Sequence, residues 1–400
     1  MYRCLALFAI PLAACADNAP GTSALVRDSA GVRIVENIRQ LRKRPIWRVL
    51  PNPLIRIGAH DGDPAYQLFV ARSASRLSDG TIVIANAGTF DVRFFDGNGR
   101  HIRTVGRKGR GPGEFEGLWE IARFAGDSLV VFDRQLQRLT VFDSKGEFIR
   151  TLVLHGDRVA SFIGVLDEQR VLLAVQTPMF LRASGGVYRD SIAYVTQPLD
   201  GTQPDTLGWF PGTEFFQDGN GSNALMIRHP FGRTTYAMAA NGRVFIGTSD
   251  TYEIMVFGPR DSLQQIIRLA RPFRSVLDAD IERHQKAMLS PYDGSFGIRI
   301  QTMLNAVPYP ETMPAFGRFL VATSGHLWVE DYAGPPDAMG SWDSVGTWSV
   351  FAPDGVFLGQ VQIPVGVSLL AVNESHVLGR WKDNLDVEFI GLYELLKAER

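Results

Sequence analysis

The sequence predicts an all-β protein in which a four-stranded antiparallel unit recurs six times and closes into a ring. Three observations predict it. Forty glycines and 22 prolines punctuate short β-branched and aromatic runs over 400 residues, the pattern of many short strands joined by turns. The segment 80–106 recurs at 127–153, so Ile84 matches Val131, Phe95 matches Phe142, Asp96 matches Asp143, Gly99 matches Gly146 and Ile102 matches Ile149, each pair 47 residues apart. Weaker copies of the same strand order fill the rest of the chain. Such a unit has two apolar faces and buries neither alone, so the copies must stack around a circle as a six-bladed β-propeller.

The N-terminal residues MYRCLALFAIPLAAC precede this pattern. Arg3 supplies a positive start, and Leu5 to Ala14 form an apolar run shorter than the roughly 20 residues of a spanning helix. LAAC at 12–15 resembles a bacterial lipobox, which implies cleavage after a 1–14 signal peptide and lipidation of Cys15. Residues 15–30 then read as a linker. Cys4 leaves with the signal, so the mature domain is expected to fold on its core without disulfides.

The repeats occupy residues 31–396. Blade one is 80–106 with its inner strand upstream, and IGAHDGDPAYQLF (57–69) plays the connecting part that VGRKGRGPGEFEG (105–117) plays for blade two. FDGNG and FDSKG are hairpin turns, because Asp, Asn and Gly tolerate the positive φ that such turns require. In RLTVF (138–142), alternation puts Leu139 and Val141 on one face and Arg138, Thr140 and Phe142 on the other. Residues 159–210 hold a divergent third copy, 241–269 the fourth, 324–364 the fifth and 367–395 the sixth. GVRIVEN (31–37) alternates suitably to close the ring beside the last blade, where an edge would otherwise stay unpaired. Between blades four and five, 275–313 is expected to be a helical insertion. SVLDADIERHQKAMLS reads as a helix with Ser275 and Asp278 as a capping box and Leu277, Ile281, His284 and Met288 on one face.

The run GPGEF…DSLVVFDRQLQRLTVFDSKGEF resembles the NHL-type repeat, with a glycine-rich lead-in, a strand ending at Asp133, and Arg138 ahead of Val141 and Phe142. Over residues 31–396 the chain is similar to bacterial six-bladed β-propeller lipoproteins of the NHL/TolB-like superfamily, many of which have no assigned activity. The resemblance implies fold more than chemistry. The chain departs from the repeat at the arginine, which becomes Asp91 in blade one and Glu253 in blade four, so a role for Arg138 is expected in blade two alone.

Catalytic motifs are sparse. GRKGRGPG is not a P-loop, since it lacks the GK[ST] ending and a following helix. It stays a candidate anion-binding rim loop, through Arg107, Lys108 and Arg110 beside the N–H groups of Gly109, Gly111 and Gly113, with a solvated connection as the plainer reading. No G-x-S-x-G or S-x-x-K occurs, and the seven histidines form no H-x-H or H-x-x-x-H pair. DGNGSN (218–223) reads as a surface turn before a calcium loop. The pairs Glu330–Asp331 and Asp383–Asp386 read as solvated turns, RQLRKR (39–44) as a loop face near the anchor, and Trp119, Trp328 and Trp348 as blade core.

The innermost strands run through FVARSAS, LWEIARF, RTTYAMA and AFGRFLV, which makes Arg72, Glu120, Tyr236 and Arg318 the candidate residues of the channel mouth. They offer more arginine than metal ligands. The expectation is therefore a lipid-anchored protein of the cell envelope that binds an envelope protein or small ligand on one propeller face. No catalytic activity and no cofactor are expected, although a channel Ca2+ or another divalent metal stays open. The alternative is a metal-dependent propeller hydrolase or lyase, lactonase-like or amidating-lyase-like, with its site in the channel. A formal net charge of −1 gives no reason to expect nucleic acid.

Overall fold

The computed structural model describes residues 24–38, 47–154, 159–176, 184–220, 224–335 and 346–397. The lipobox-like segment with Cys15, and RQLRKR, lie outside the described residues, as does part of DGNGSN. Strand β1 (Ala24–Ser29) forms a hairpin with β2 (Val32–Asn37), and the short strands β3 (Trp47–Val49) and β4 (Ile55–Ile57) follow.

Six sheets come next in chain order. The first holds β5 (Ala71–Arg76), β6 (Ile82–Asn86), β7 (Asp91–Phe95) and β8 (His101–Val105). The second holds β9 (Leu118–Arg123), β10 (Leu129–Asp133), β11 (Arg138–Phe142) and β12 (Phe148–Val153). In the third, β13 (Val159–Val165) and β14 (Arg170–Gln176) precede the long pair β15 (Gly186–Pro198) and β16 (Asp205–Asp218), with β17 (Leu225–Arg228) added at the edge. The fourth contains β18 (Thr235–Ala240), β19 (Arg243–Thr248), β20 (Glu253–Phe257) and β21 (Leu263–Leu269). Helices α1 (Asp278–Leu289) and α2 (Gly294–Ala306) intervene before β22 (Phe319–Val321), β23 (Leu327–Glu330), β24 (Thr347–Phe351) and β25 (Phe357–Gln362). The sixth sheet comprises β26 (Ser368–Val372), β27 (His376–Lys382) and β28 (Glu388–Lys397).

The first strands adjoin in turn, β5 to β9, β13, β18, β22 and β26, and β26 returns to β5. The chain is a β-propeller. Each interface between neighbouring sheets is filled from both sides: Val83, Phe94, Val131 and Phe142 pack between the first and second sheets, and Leu139, Val141, Phe162 and Leu173 between the second and third. Burying a side chain of this size contributes about 1.5–3 kcal/mol, so the stacked faces carry the stability.

Ring closure differs from the expectation. β2 does not join the last sheet; it lies parallel to β21 on the outside of the fourth. The last sheet is completed by β3 and β4, which pair antiparallel with β28. The ten-residue β28 outreaches β27, and two short N-terminal strands cover its free edge in succession. Asn37 fastens β2 across two sheets: its amide donates to Arg268 O (2.9 Å) and Gly355 O (3.1 Å), and its Oδ1 accepts from Phe357 N (2.8 Å).

The inserted segment holds two helices. α1 is capped at Leu277, whose N–H donates to Asp280 Oδ2, while Ser275 sits in a bridge with Thr312 and Leu277 is exposed. α2 was not read from sequence, although Ile300, Met303, Leu304 and Val307 recur at helical spacing and pack with Phe216 of β16. Both helices seat on this extension of the third sheet. Among the described residues no helix is long and apolar enough to cross a membrane.

Candidate functional site

In every sheet the chain enters the innermost strand from the same end of the ring, and the connections between sheets gather there. The repeat builds those connections from side-chain hydrogen bonds. Asp133 accepts the N–H groups of Glu116, Gln135 and Leu136, and Asn86, one repeat earlier, accepts that of Phe69. Arg138 donates to the carbonyls of Arg110 (2.8 Å), Gly111 (3.0 Å) and Glu114, shaping the lead-in loop from beneath. This role is not confined to blade two. In the first sheet Arg93, two positions further along, donates to the carbonyls of Pro64, Ala65 and Gln67.

The GRKGRGPG loop holds an anion of its own. Glu114 takes the N–H of Gly111 (2.7 Å) and the guanidinium of Arg107 (2.8 Å), and these hold its carboxyl below the usual range. Arg110 pairs with Glu116 at 3.7 Å, and Lys108 lies over the Phe90 ring. The N–H of Gly109 is spent on Phe115 O. Arg107, Lys108 and Arg110 are thus placed away from the channel group, with an internal carboxylate in the position an external anion would take.

The channel is a cavity of about 820 Å³ lined by the innermost strands of all six sheets. Arg72, Glu120 and Arg318 line it. Tyr236 stands beside it: its ring packs on Phe316, and its hydroxyl accepts from Arg228 at 3.4 Å. Glu120 accepts from Ser73 Oγ at 2.5 Å. Burial raises its carboxyl to about 7, against the opposing pull of Ser73, Arg318, Arg380 and Arg72. Arg318 donates to Glu330 (3.2 Å), whose carboxyl is also raised by burial, and lies over the Trp348 ring.

Three contributors went unread. Arg380, on the second strand of the last sheet, reaches inward and donates to Ala71 O at 2.8 Å, next to Glu388, which accepts from Ala71 N. Arg134 follows β10 and lies over the Trp119 ring at 4.7 Å, while Arg72 covers the same ring at 4.1 Å. Trp119 packs against the core between the second and third sheets and also supports two guanidiniums at the channel end; Trp328 and Trp348 are fully buried. No periodicity marks Arg134 or Arg380, because neither is on an innermost strand. Burial and the nearby charges of Arg380 and Arg134 lower the Arg72 pKa. Among the described residues, no group of three or more His, Cys, Asp or Glu side chains converges as metal ligands would.

A family model, DUF5128, described as a 6-bladed beta-propeller, matches residues 68–154. No curated protein matches the sequence. Among solved structures, a member of the DUF4221 family from Bacteroides vulgatus is similar at 10% identity and a TM-score of 0.52, over 88% of this chain and 99% of that one. A candidate exported protein from Bacteroides fragilis is similar at 10% identity and a TM-score of 0.50, over 92% of this chain and 100% of its own. The virginiamycin B lyase of Staphylococcus aureus lies further off, at 8% identity and a TM-score of 0.42 over 88% of this chain and 100% of that one. At these identities the likeness is one of fold.

Proposed function

We propose that this chain is an exported, lipid-anchored six-bladed β-propeller that holds a ligand at one end of its central channel and does not turn it over. The observation that carries the reading is the convergence of Arg72, Glu120 and Arg318, from separate sheets, on an open cavity. A pocket of hundreds of cubic ångströms with a few convergent polar groups is the usual form of a ligand site. The lipobox at 12–15 supports anchoring through Cys15.

The test is a thermal-shift screen of the full chain in detergent against a chemically broad panel of neutral, cationic and anionic small molecules, with elemental analysis of the same sample. Stabilisation by one class, lost in Arg318→Ala, is the expected result. Turnover abolished by a single channel substitution, with a bound stoichiometric metal, would instead establish the hydrolase or lyase alternative. Mass spectrometry of the N-terminal peptide checks the anchor, which predicts a diacylated Cys15.

A further inference from the structure

We infer that the ligand of this channel is a small organic oxyanion, a carboxylate or a phosphate ester, gripped by Arg72, Arg380 and Arg134 at the end where the innermost strands begin. The inference deepens the binding reading above and rests on it.

Three arginines meet at that end and none of them forms a direct ion pair among the described residues, although the Glu120 and Glu388 carboxyls lie within electrostatic range of Arg72. Arg72 has its guanidinium on Trp119, Arg134 lies on the same ring, and Arg380 gives one N–H to Ala71 O. No ion pair joins Arg72, Arg134 or Arg380 to an acid among the described residues. The carboxylates nearby are committed elsewhere: Glu388 to the Ala71 N–H at 2.6 Å, Glu330 to Arg318, and Glu120 to Ser73. Cations this close repel one another, and an anion placed among them relieves the repulsion.

Geometry narrows the anion to an oxyanion. A guanidinium seated over an indole still has N–H groups to offer, and its planar fork matches the two-oxygen edge of a carboxylate or phosphate. Arg72 is exposed to the cavity and makes no side-chain hydrogen bond, so its fork is available. A cavity of about 820 Å³ accommodates a metabolite-sized molecule behind the anionic group.

Isothermal titration of the full chain in detergent, with Trp fluorescence read in parallel, tests this using succinate, inorganic phosphate and glucose 6-phosphate, with succinamide and glucose as uncharged controls. The expected result is binding of at least one oxyanion, no binding of its neutral counterpart, and at least a tenfold loss of affinity in Arg72→Ala. Succinate and glucose 6-phosphate separate the two classes of oxyanion, and inorganic phosphate reports whether the anionic group alone suffices. Arg72→Ala removes no hydrogen bond that holds the fold; Arg380→Ala, which does, is read only alongside its melting temperature. Oxyanion binding unchanged in Arg72→Ala would overturn the proposal. A neutral probe bound in the channel, and weakened by Glu120→Gln, would overturn it while leaving the binding reading intact. Failure of every probe, charged and neutral, while the broader panel also gives no stabilisation, would remove both.

Discussion

Ser73 and Glu120 stand 47 residues apart in sequence and 2.5 Å apart in space, with the Ser73 hydroxyl donating to the Glu120 carboxyl. They occupy the same register of adjacent innermost strands, since Ser73 pairs with Ala85 and Glu120 with Phe132 one repeat later. One sequence position, repeated, has become the two halves of a contact across the channel wall.

The charge state of Glu120 should be visible in stability. Its carboxyl is raised from 4.5 to about 7, so between those values the folded chain binds more protons than the unfolded chain, and stability falls as pH rises. Glu120→Gln keeps an acceptor for Ser73 and has no proton to lose. Urea unfolding is expected to show it more stable than the parent by on the order of 2 kcal/mol at pH 8, and nearly equal at pH 4.5. The same difference at both pH values would mean a carboxylate that is solvated in the fold.

Asp133 supports three backbone N–H groups, those of Glu116, Gln135 and Leu136. Removing the acceptors with Asp133→Ala should cost about 2–4 kcal/mol in chemical denaturation. Asn86 performs the corresponding task in the first sheet with a neutral amide. Asp133→Asn is therefore expected to cost about 1 kcal/mol; a loss as large as that of the alanine variant would show that the charge itself is required.

Arg138 reaches three carbonyls at once, which a lysine ammonium on a flexible stem cannot reproduce. Arg138→Lys should destabilise the chain by about 2 kcal/mol. Amide hydrogen exchange should accelerate in residues 106–116, while the fifth and sixth sheets stay protected. Uniform exchange across the ring would mean that the loop is held by something else.

Asn37, 1% exposed, is the clasp between the N-terminal hairpin and two sheets. Asn37→Ala leaves its partners unsatisfied and should cost about 2–4 kcal/mol. Deleting residues 24–38 removes the clasp and exposes β21 but leaves β3 and β4 in place. That variant should still fold, whereas deletion through residue 58 strips the partners of β28 and should not. Soluble, cooperative unfolding of the longer deletion would show that the ring closes without them.

Much of this was legible because it is local or periodic. Asp96 and Asp143 each accept two N–H groups within their own turns, and Gly99 and Gly146 adopt positive φ there, as the FDGNG and FDSKG segments suggested. The innermost strands were found from the same repeat, and with them Arg72, Glu120 and Arg318. Arg93 was missed because it performs the Arg138 task from a position shifted by two, where alignment at a fixed spacing shows Asp91 instead. The second helix was not expected, although Ile300, Met303, Leu304 and Val307 recur at the spacing of one helical face.

By itself the sequence determined the repeat, its turns and the two-faced strands, since these depend on φ preferences and on alternation within a few residues. Which edge each N-terminal strand covers was decided only in three dimensions. β2, β3 and β4 all suit pairing, and the free edges of β21 and β28 select among them. The grouping of Arg72, Arg134 and Arg380 was decided there too. Residues more than three hundred positions apart meet because a ring must close, and that closure leaves no trace in the spacing of the arginines it brings together.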